Sequence, residues 1–230
     1  MACRVAADAA NTFLALKELL SKFLNHKRMS YFMEMEYLND KIIFDKVLND
    51  FDKFTFSFVK ILDKLNINYV LISGYVALLF GRTRMTEDID IFIEKLSFER
   101  FGELWNELLN TFECINTQNA KEAYEEYLLN NSSINFSLKG RFLPRMEVKF
   151  PKKSTDSWSI ANKKKVVLNG RVIYISPLEL QITFKLTLGS EKDIEDARYL
   201  YRIFKDFLDK EMLNYWIKNF KIEKEVKYLS

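Results

Sequence analysis

Asp88 and Asp90 stand one residue apart in the run D-I-D-I-F-I, with isoleucine at positions 89, 91 and 93. In a strand, side chains alternate between faces, so the isoleucines share one side while Asp88, Asp90 and Phe92 share the other. Two carboxylates side by side on a rigid strand repel each other and hold protons more tightly unless a cation neutralises them. Paired hard oxygen ligands, completed by phosphate and water oxygens, are how proteins hold magnesium. Read alone, D-x-D is more often the polar side of a half-exposed strand.

The upstream residues change that balance. An apolar run, Tyr69 to Ile72, ends at Ser73-Gly74, and a short apolar segment continues to Gly81. Small residues at a strand-to-helix turn leave backbone N–H groups where a phosphate can approach closely. Arg82 and Arg84 follow, fork-shaped donors suited to a metal-bound triphosphate. A phosphate turn, a basic loop and a carboxylate strand in one contiguous unit are far more specific than any one of them.

Two later positions join this set. In R-M-E-V-K-F, alternation puts Met146, Val148 and Phe150 on one side and Glu147 on the other, between Arg145 and Lys149. Glu147 reads either as a surface residue paired with those bases or as a further acid of the site. Lys185 lies within the apolar run L-E-L-Q-I-T-F-K-L-T-L, and Asp196 shares a helical stripe with Leu200 and Ile203. A lysine and an aspartate on apolar faces are costly unless paired or used. Both readings stay open.

The elements that must position these residues follow from periodicity. Ile42, Ile43, Val47, Phe51, Phe54, Phe58, Ile61, Leu62 and Leu65 recur at three- and four-residue intervals, which predicts one long amphipathic helix, or two abutting ones, over residues 40–65. Residues 98–109 and 119–129 read as further helices, and Asn130-Asn131-Ser132-Ser133 as a turn. Residues 165–168 and 171–175 read as strands joined at Asn169-Gly170, a tight hairpin signal. Ser176-Pro177 reads as a cap and first residue of a helix. Between them, Lys152, Lys153, Lys163, Lys164 and Lys165 form a basic run, read as a solvated loop in which Trp158 is suited to stacking on a base. In residues 1–30, Phe13, Leu14, Leu16, Leu19, Leu20, Phe23 and Leu24 predict a peripheral docking helix or a dispensable extension.

Composition sets the outer bounds. A chain of 230 residues, 48% hydrophobic and 29% charged, is long enough for one sizeable folded domain with an appendage. The net charge of +3 is too small by itself to argue for nucleic acid, so any basic surface must be local. Cys3 and Cys114 make no disulfide or metal spacing, and His26 is the single histidine, which excludes histidine-based zinc sites and serine-histidine triads. No apolar run is long enough to cross a bilayer and no secretory signal is legible, which predicts a cytoplasmic protein without membrane association.

These residues resemble the nucleotidyltransferase superfamily typified by DNA polymerase beta, and most of all its small prokaryotic branch, which includes abortive-infection (AbiEii-type) toxin nucleotidyltransferases. That branch has a glycine pair, an alanine, a further glycine and then R-x-T-x-D-I-D, matched by Gly74, Ala77, Gly81, Arg84, Thr86, Asp88 and Asp90, with Ser73 in place of the first glycine. Its later K-L and K-D-x-x-D-A-x-x-L elements match Lys185-Leu186 and Lys192, Asp193, Asp196, Ala197 and Leu200, with Ser190 where an arginine is usual.

The resemblance implies an α+β (mixed α/β) nucleotidyltransferase fold, a small mixed sheet flanked by helices. It further implies an N-terminal helical segment over residues 1–66, a core over 67–176 and a helical C-terminal part over 177–230. Asp88, Asp90 and Glu147 would hold Mg²⁺ or Mn²⁺. Ser73, Gly74, Arg82, Arg84 and Thr86 would hold an NTP. Lys185 would contact the triphosphate, and Asp196 would orient that lysine or assist near the acceptor. The implied reaction is transfer of NMP to a hydroxyl of RNA (tRNA among them), a protein or a small molecule, by the toxin of a pair with a cognate antitoxin. The alternative is a catalytically inactive nucleotide- or partner-binding module of the same fold.

Overall fold

The structure, a computed structural model, describes residues 27–29, 35–38 and 41–229. The helix expected from Phe13 to Leu24 lies outside them. The chain divides into two compact units, one made of the described residues up to Lys46 with Val166–Val172, the other of Val47–Lys165 with the described residues from Ile173 on.

The first unit holds β1 (Lys27–Met29), β2 (Met35–Leu38) and β3 (Lys41–Phe44), antiparallel neighbours in which Met35 pairs with Phe44 and Leu38 with Lys41. The long helix expected from residue 40 is therefore overturned over its first part. Lys41 to Phe44 buries Ile42 and Phe44 in alternation, a period of two that wins over the helical spacing because β2 supplies backbone partners. Between Val166 and Val172 the chain reverses at Asn169 (φ 49°) and Gly170 (φ 74°), the pair of positive φ values that a two-residue hairpin of this hand needs.

In the second unit α1 spans Asp50–Lys64. It starts where Asn49 and Asp52 exchange backbone-to-side-chain hydrogen bonds, the Asp52 N–H donating to Asn49 Oδ1 at 2.9 Å and the Asn49 N–H to Asp52 Oδ2 at 3.0 Å. Phe54, Phe58 and Leu62, four residues apart, make its buried stripe. Phe58 meets Phe112 edge-on, with centroids 5.2 Å apart, and Phe136 at 5.9 Å.

There follow β4 (Tyr69–Ile72), α2 (Gly74–Leu79), β5 (Asp88–Ile93), α3 (Phe98–Leu108), β6 (Phe112–Cys114) and α4 (Ala120–Glu122), which runs on as a π-helix over Ala123–Leu128. The chain continues through β7 (Ile134–Leu138), β8 (Arg145–Lys149), α5 (Ser154–Ala161), β9 (Lys164–Leu168) and β10 (Arg171–Ile175). It closes with α6 (Leu178–Leu188), α7 (Glu191–Phe204), α8 (Lys210–Phe220) and a 3₁₀ turn at Glu225–Leu229.

Within this unit the sheet runs β10-β4-β5-β8-β7-β6. Strand β5 lies antiparallel to β4 and parallel to β8, and β8 is antiparallel to β7, so the sheet is mixed. The architecture is α+β, a mixed sheet flanked by helices, with α6 packed against α7 and α8. Among the described residues no helix is long and apolar enough to cross a membrane.

The basic run was expected to be a loop, but residues Ser154–Ala161 form α5, and the half-buried Trp158 ring meets Trp216 edge-on with centroids 4.9 Å apart. Pro177 stands at the N-cap of α6, one residue before the helix proper.

Replacing Phe58 with alanine removes the ring that joins Phe112 and Phe136, and chemical denaturation should show a loss of about 3–5 kcal/mol.

Candidate functional site

Strand β4 is a continuous apolar run, with Tyr69, Val70 and Leu71 all buried as expected of an interior strand. It pairs with β5 so that Ile72 lies opposite Asp90. On the other flank of β5, Asp88 lies opposite Arg145, Asp90 opposite Glu147 and Phe92 opposite Lys149. The isoleucines of β5 are buried and the aspartates only partly so. The alternation read from the sequence thus places Asp88, Asp90 and Glu147 on one side of two adjacent strands, and the pairing of Ile72 brings the Ser73-Gly74 turn beside Asp90.

That turn is under strain. Ser73 adopts φ 61°, ψ −135°, a conformation that glycine tolerates and a side chain does not. The clamp that holds it is Gln181. The Ser73 N–H donates to Gln181 Oε1 at 3.2 Å, and Gln181 Nε2 donates back to the Ser73 carbonyl at 2.8 Å. Gln181 is buried in α6. Sequence reasoning missed it, although it lies four residues before Lys185 and so on the same face of the helix.

Gly74 makes room for a neighbouring side chain. A Cβ there would lie 2.0 Å from Arg84 Nη2 and 3.1 Å from Cζ, because the guanidinium rests directly on the first residue of α2. Gly81 (φ 97°) ends the helix, its N–H donating to the Leu78 carbonyl at 3.0 Å, and aims the following loop back toward that turn.

The loop arginines converge on Asp196, whose side chain is 0% exposed. Arg84 donates through Nε to Oδ1 and through Nη2 to Oδ2, both at 3.1 Å. Arg82 Nε lies 2.7 Å from Oδ1, a charge contact whose N–H does not point along the line of approach, leaving that proton without an acceptor. Lys185 Nζ completes the group at 2.9 Å from Asp196 Oδ2 and 2.6 Å from Asp193 Oδ1. Ser190, the N-cap of α7, donates to the second oxygen of Asp193. Burial by itself would raise the Asp193 carboxyl, but Lys185 and Ser190 outweigh it and hold it below the usual carboxylate range. Lys185 and Asp196 are therefore brought together, as are Arg82 and Arg84 with them. Thr86 lies apart from this group and donates its hydroxyl to the Asp88 carbonyl at 3.2 Å, steadying the entry to β5.

The strand carboxylates have cations of their own, which sequence reasoning read only as flanking bases. Arg145 Nε donates to Asp88 Oδ1 at 2.7 Å. Lys149 Nζ reaches Asp90 Oδ1 at 2.8 Å and Glu147 Oε1 at 3.2 Å. Ser133 donates to the same Glu147 oxygen at 2.6 Å. Burial pushes the Asp90 carboxyl up against the opposing pull of Lys149. Burial acts upward on Glu147 too, but hydrogen bonding with Asp90, Ser133 and Lys149 outweighs it and holds that carboxyl down. The two carboxyls are pushed in opposite directions and titrate as a coupled pair.

Among the described residues no three acidic, histidine or cysteine side chains close on a common metal position. The donor set nonetheless suits a hard cation, because Asp90 and Glu147 already share one positive group, the Lys149 ammonium, between oxygens of the kind magnesium prefers.

No protein-family model matches the chain, and a search of curated proteins finds no match. Among solved structures, it is similar to an antigenic nucleotidyltransferase-like protein from Paracoccidioides brasiliensis at 19% identity and TM-score 0.47, covering 79% of this chain and 94% of the other. It is similar to the antibiotic-resistance factor ANT(2'')-Ia at 16% identity and TM-score 0.48, covering 76% and 93%. A Thermotoga maritima CCA-adding enzyme complexed with tRNA matches at 12% identity and TM-score 0.34, covering 79% of this chain and 50% of that one.

Two substitutions separate strain from charge. Ser73→Gly should relieve the turn, raising stability by about 1 kcal/mol once the extra freedom of glycine in the unfolded chain is subtracted. Asp196→Asn should cost about 3–5 kcal/mol, because the two arginines and Lys185 lose the buried charge that pairs them. Thermal and denaturant melts read both.

Proposed function

We propose that this protein is a nucleotidyltransferase that moves a nucleoside monophosphate from an NTP to an acceptor hydroxyl and releases pyrophosphate. The single observation that carries this reading is the register of β5. Asp90 lies between Ile72, which leads into the Ser73-Gly74 turn, and Glu147 on β8. A turn of small residues and a pair of carboxylates thus meet at one place on the sheet.

In this reading Ser73, through its hydroxyl, and Gly74, which lets the phosphates approach closely, cradle the triphosphate, and Gln181 keeps the turn in position by pairing with the Ser73 backbone. Arg84, lying on Gly74, supplies positive charge beside the turn while Asp196 fixes its orientation. Asp88, Asp90 and Glu147 hold Mg²⁺ or Mn²⁺. When bound, such an ion neutralises charge on the α-phosphate and the leaving group. The acceptor oxygen attacks the α-phosphorus, a new P–O bond forms, and the bond to the bridging oxygen of the β-phosphate breaks. A strand carboxylate takes the hydroxyl proton. Lys185, tied to Asp193 and Asp196, acts by holding the arginine cluster together rather than by reaching the phosphates itself.

The acceptor classes belonging to this proposal are RNA, including tRNA, a protein or a small-molecule hydroxyl. The proposal also includes a cytoplasmic toxin role with a cognate antitoxin as partner.

A second reading, an inactive nucleotide- or partner-binding module, draws support from the cations already seated on Asp88, Asp90 and Glu147.

Incubation with labelled NTPs, Mg²⁺ and total RNA or protein distinguishes the two readings. Transferase activity predicts label on an acceptor, pyrophosphate release, and a fall of about a hundredfold or more in Asp90→Asn. NTP binding without pyrophosphate release would overturn the transferase in favour of the binding module.

A further inference from the structure

Lys149 stands where the candidate site needs a cation. Its ammonium lies 2.8 Å from Asp90 Oδ1 and 3.2 Å from Glu147 Oε1, on the strand adjacent to β5. It is the side chain that keeps the two carboxylates from facing each other uncompensated. The other base of this surface, Arg145, is committed elsewhere, to Asp88 and, at 3.3 Å, to Glu87. The Lys149 side chain is 31% exposed, so its four-carbon stem has solvent to swing into. The buried Lys185, held by two aspartates, has no such freedom.

Two cations cannot share the same pair of oxygens, because at ion-pair distance in a partly buried site their repulsion is as large as either attraction. A divalent ion that takes Asp90 and Glu147 must therefore displace the ammonium. The displaced ammonium needs a new anion, and the molecule that brings one to this place is the triphosphate.

We infer that Lys149 is an internal counter-ion that competes with the divalent cation for Asp90 and Glu147, so that the cation and the nucleoside triphosphate bind cooperatively. This rests on the transferase reading of the site. The cation alone meets a site already neutralised. The cation with NTP meets one whose lysine has somewhere else to go, and by linkage each ligand then tightens the binding of the other.

The test is Mn²⁺ binding followed by the electron paramagnetic resonance of the free ion, without turnover. Lys149→Met should bind Mn²⁺ alone about tenfold or more tightly than the unaltered protein, while Lys149→Arg, which keeps the charge, should not. Adding a non-hydrolysable NTP analogue should tighten Mn²⁺ binding markedly in the unaltered protein and much less in Lys149→Met. Because methionine leaves the two carboxylates without a cation or a polar group in its place, Lys149→Gln serves as the second neutral variant and should show the same tightening. Thermal melts should show both neutral variants gaining more from Mn²⁺ than the unaltered protein does.

Equal or weaker Mn²⁺ binding in the folded neutral variants overturns the inference. If Mn²⁺ binding is then still lost in Asp88→Asn with Asp90→Asn, the carboxylate metal site stands and only the role of Lys149 falls. If that double variant binds Mn²⁺ unchanged, or no variant binds it, the metal site itself falls and the inference with it.

Discussion

The second unit depends on one buried carboxylate. Asp196 is fully enclosed and draws Arg82 and Arg84 from one loop and Lys185 from α6. Enclosing charges costs several kcal/mol per ion, and the arrangement persists because each partner is held by geometry as well as by attraction. Through Arg84 it governs what fits above Gly74, and through Lys185 it fixes the face of α6 that also carries Gln181. The strained turn at Ser73 is therefore held by a polar network whose far end is on α7, more than a hundred residues later.

A second charged group lies on the strands and differs in kind. Among the described residues Asp88, Asp90 and Glu147 pair with the cations Arg145 and Lys149, Glu147 also accepting from Ser133, and they remain partly exposed. Where the buried group is closed and committed, this one has more negative than positive charge and a lysine able to leave. A rigid, paired network together with an incompletely neutralised one is an arrangement suited to binding: the first supplies a fixed geometry and the second an electrostatic demand for a ligand. Asp90 and Glu147 respond in opposite directions to the same surroundings, which marks them as a coupled pair.

Chemistry confined to one strand was legible in the sequence. Alternation around Asp88, Asp90 and Glu147 depends only on the strand period, so which side each faces could be read directly, and the glycine at 74 and the turn at Asn169-Gly170 announced themselves by residue type. The N-terminal reading failed at Lys41 to Phe44, because isoleucines and a phenylalanine at mixed spacing satisfy both periods, and only a neighbouring strand chooses between them. The helix at Ser154–Ala161 was missed for a similar reason, since a run of lysines and serines reads as a loop until the fold shows what Trp158 packs against.

By itself, the sequence determined the strand carrying the two aspartates, the small residues at the turn before it, and the presence of a buried lysine and aspartate that had to be paired. Tertiary structure decided the partners. That Glu147 falls opposite Asp90, that Lys149 rather than another base bridges them, that both arginines of the loop turn to Asp196, and that Gln181 holds Ser73 all depend on register and helix packing across large separations in the chain. The physical reason is that local periodicity sets the direction in which a side chain points, whereas a charge or amide is satisfied only by whichever group the folded chain carries to within about 3 Å of it.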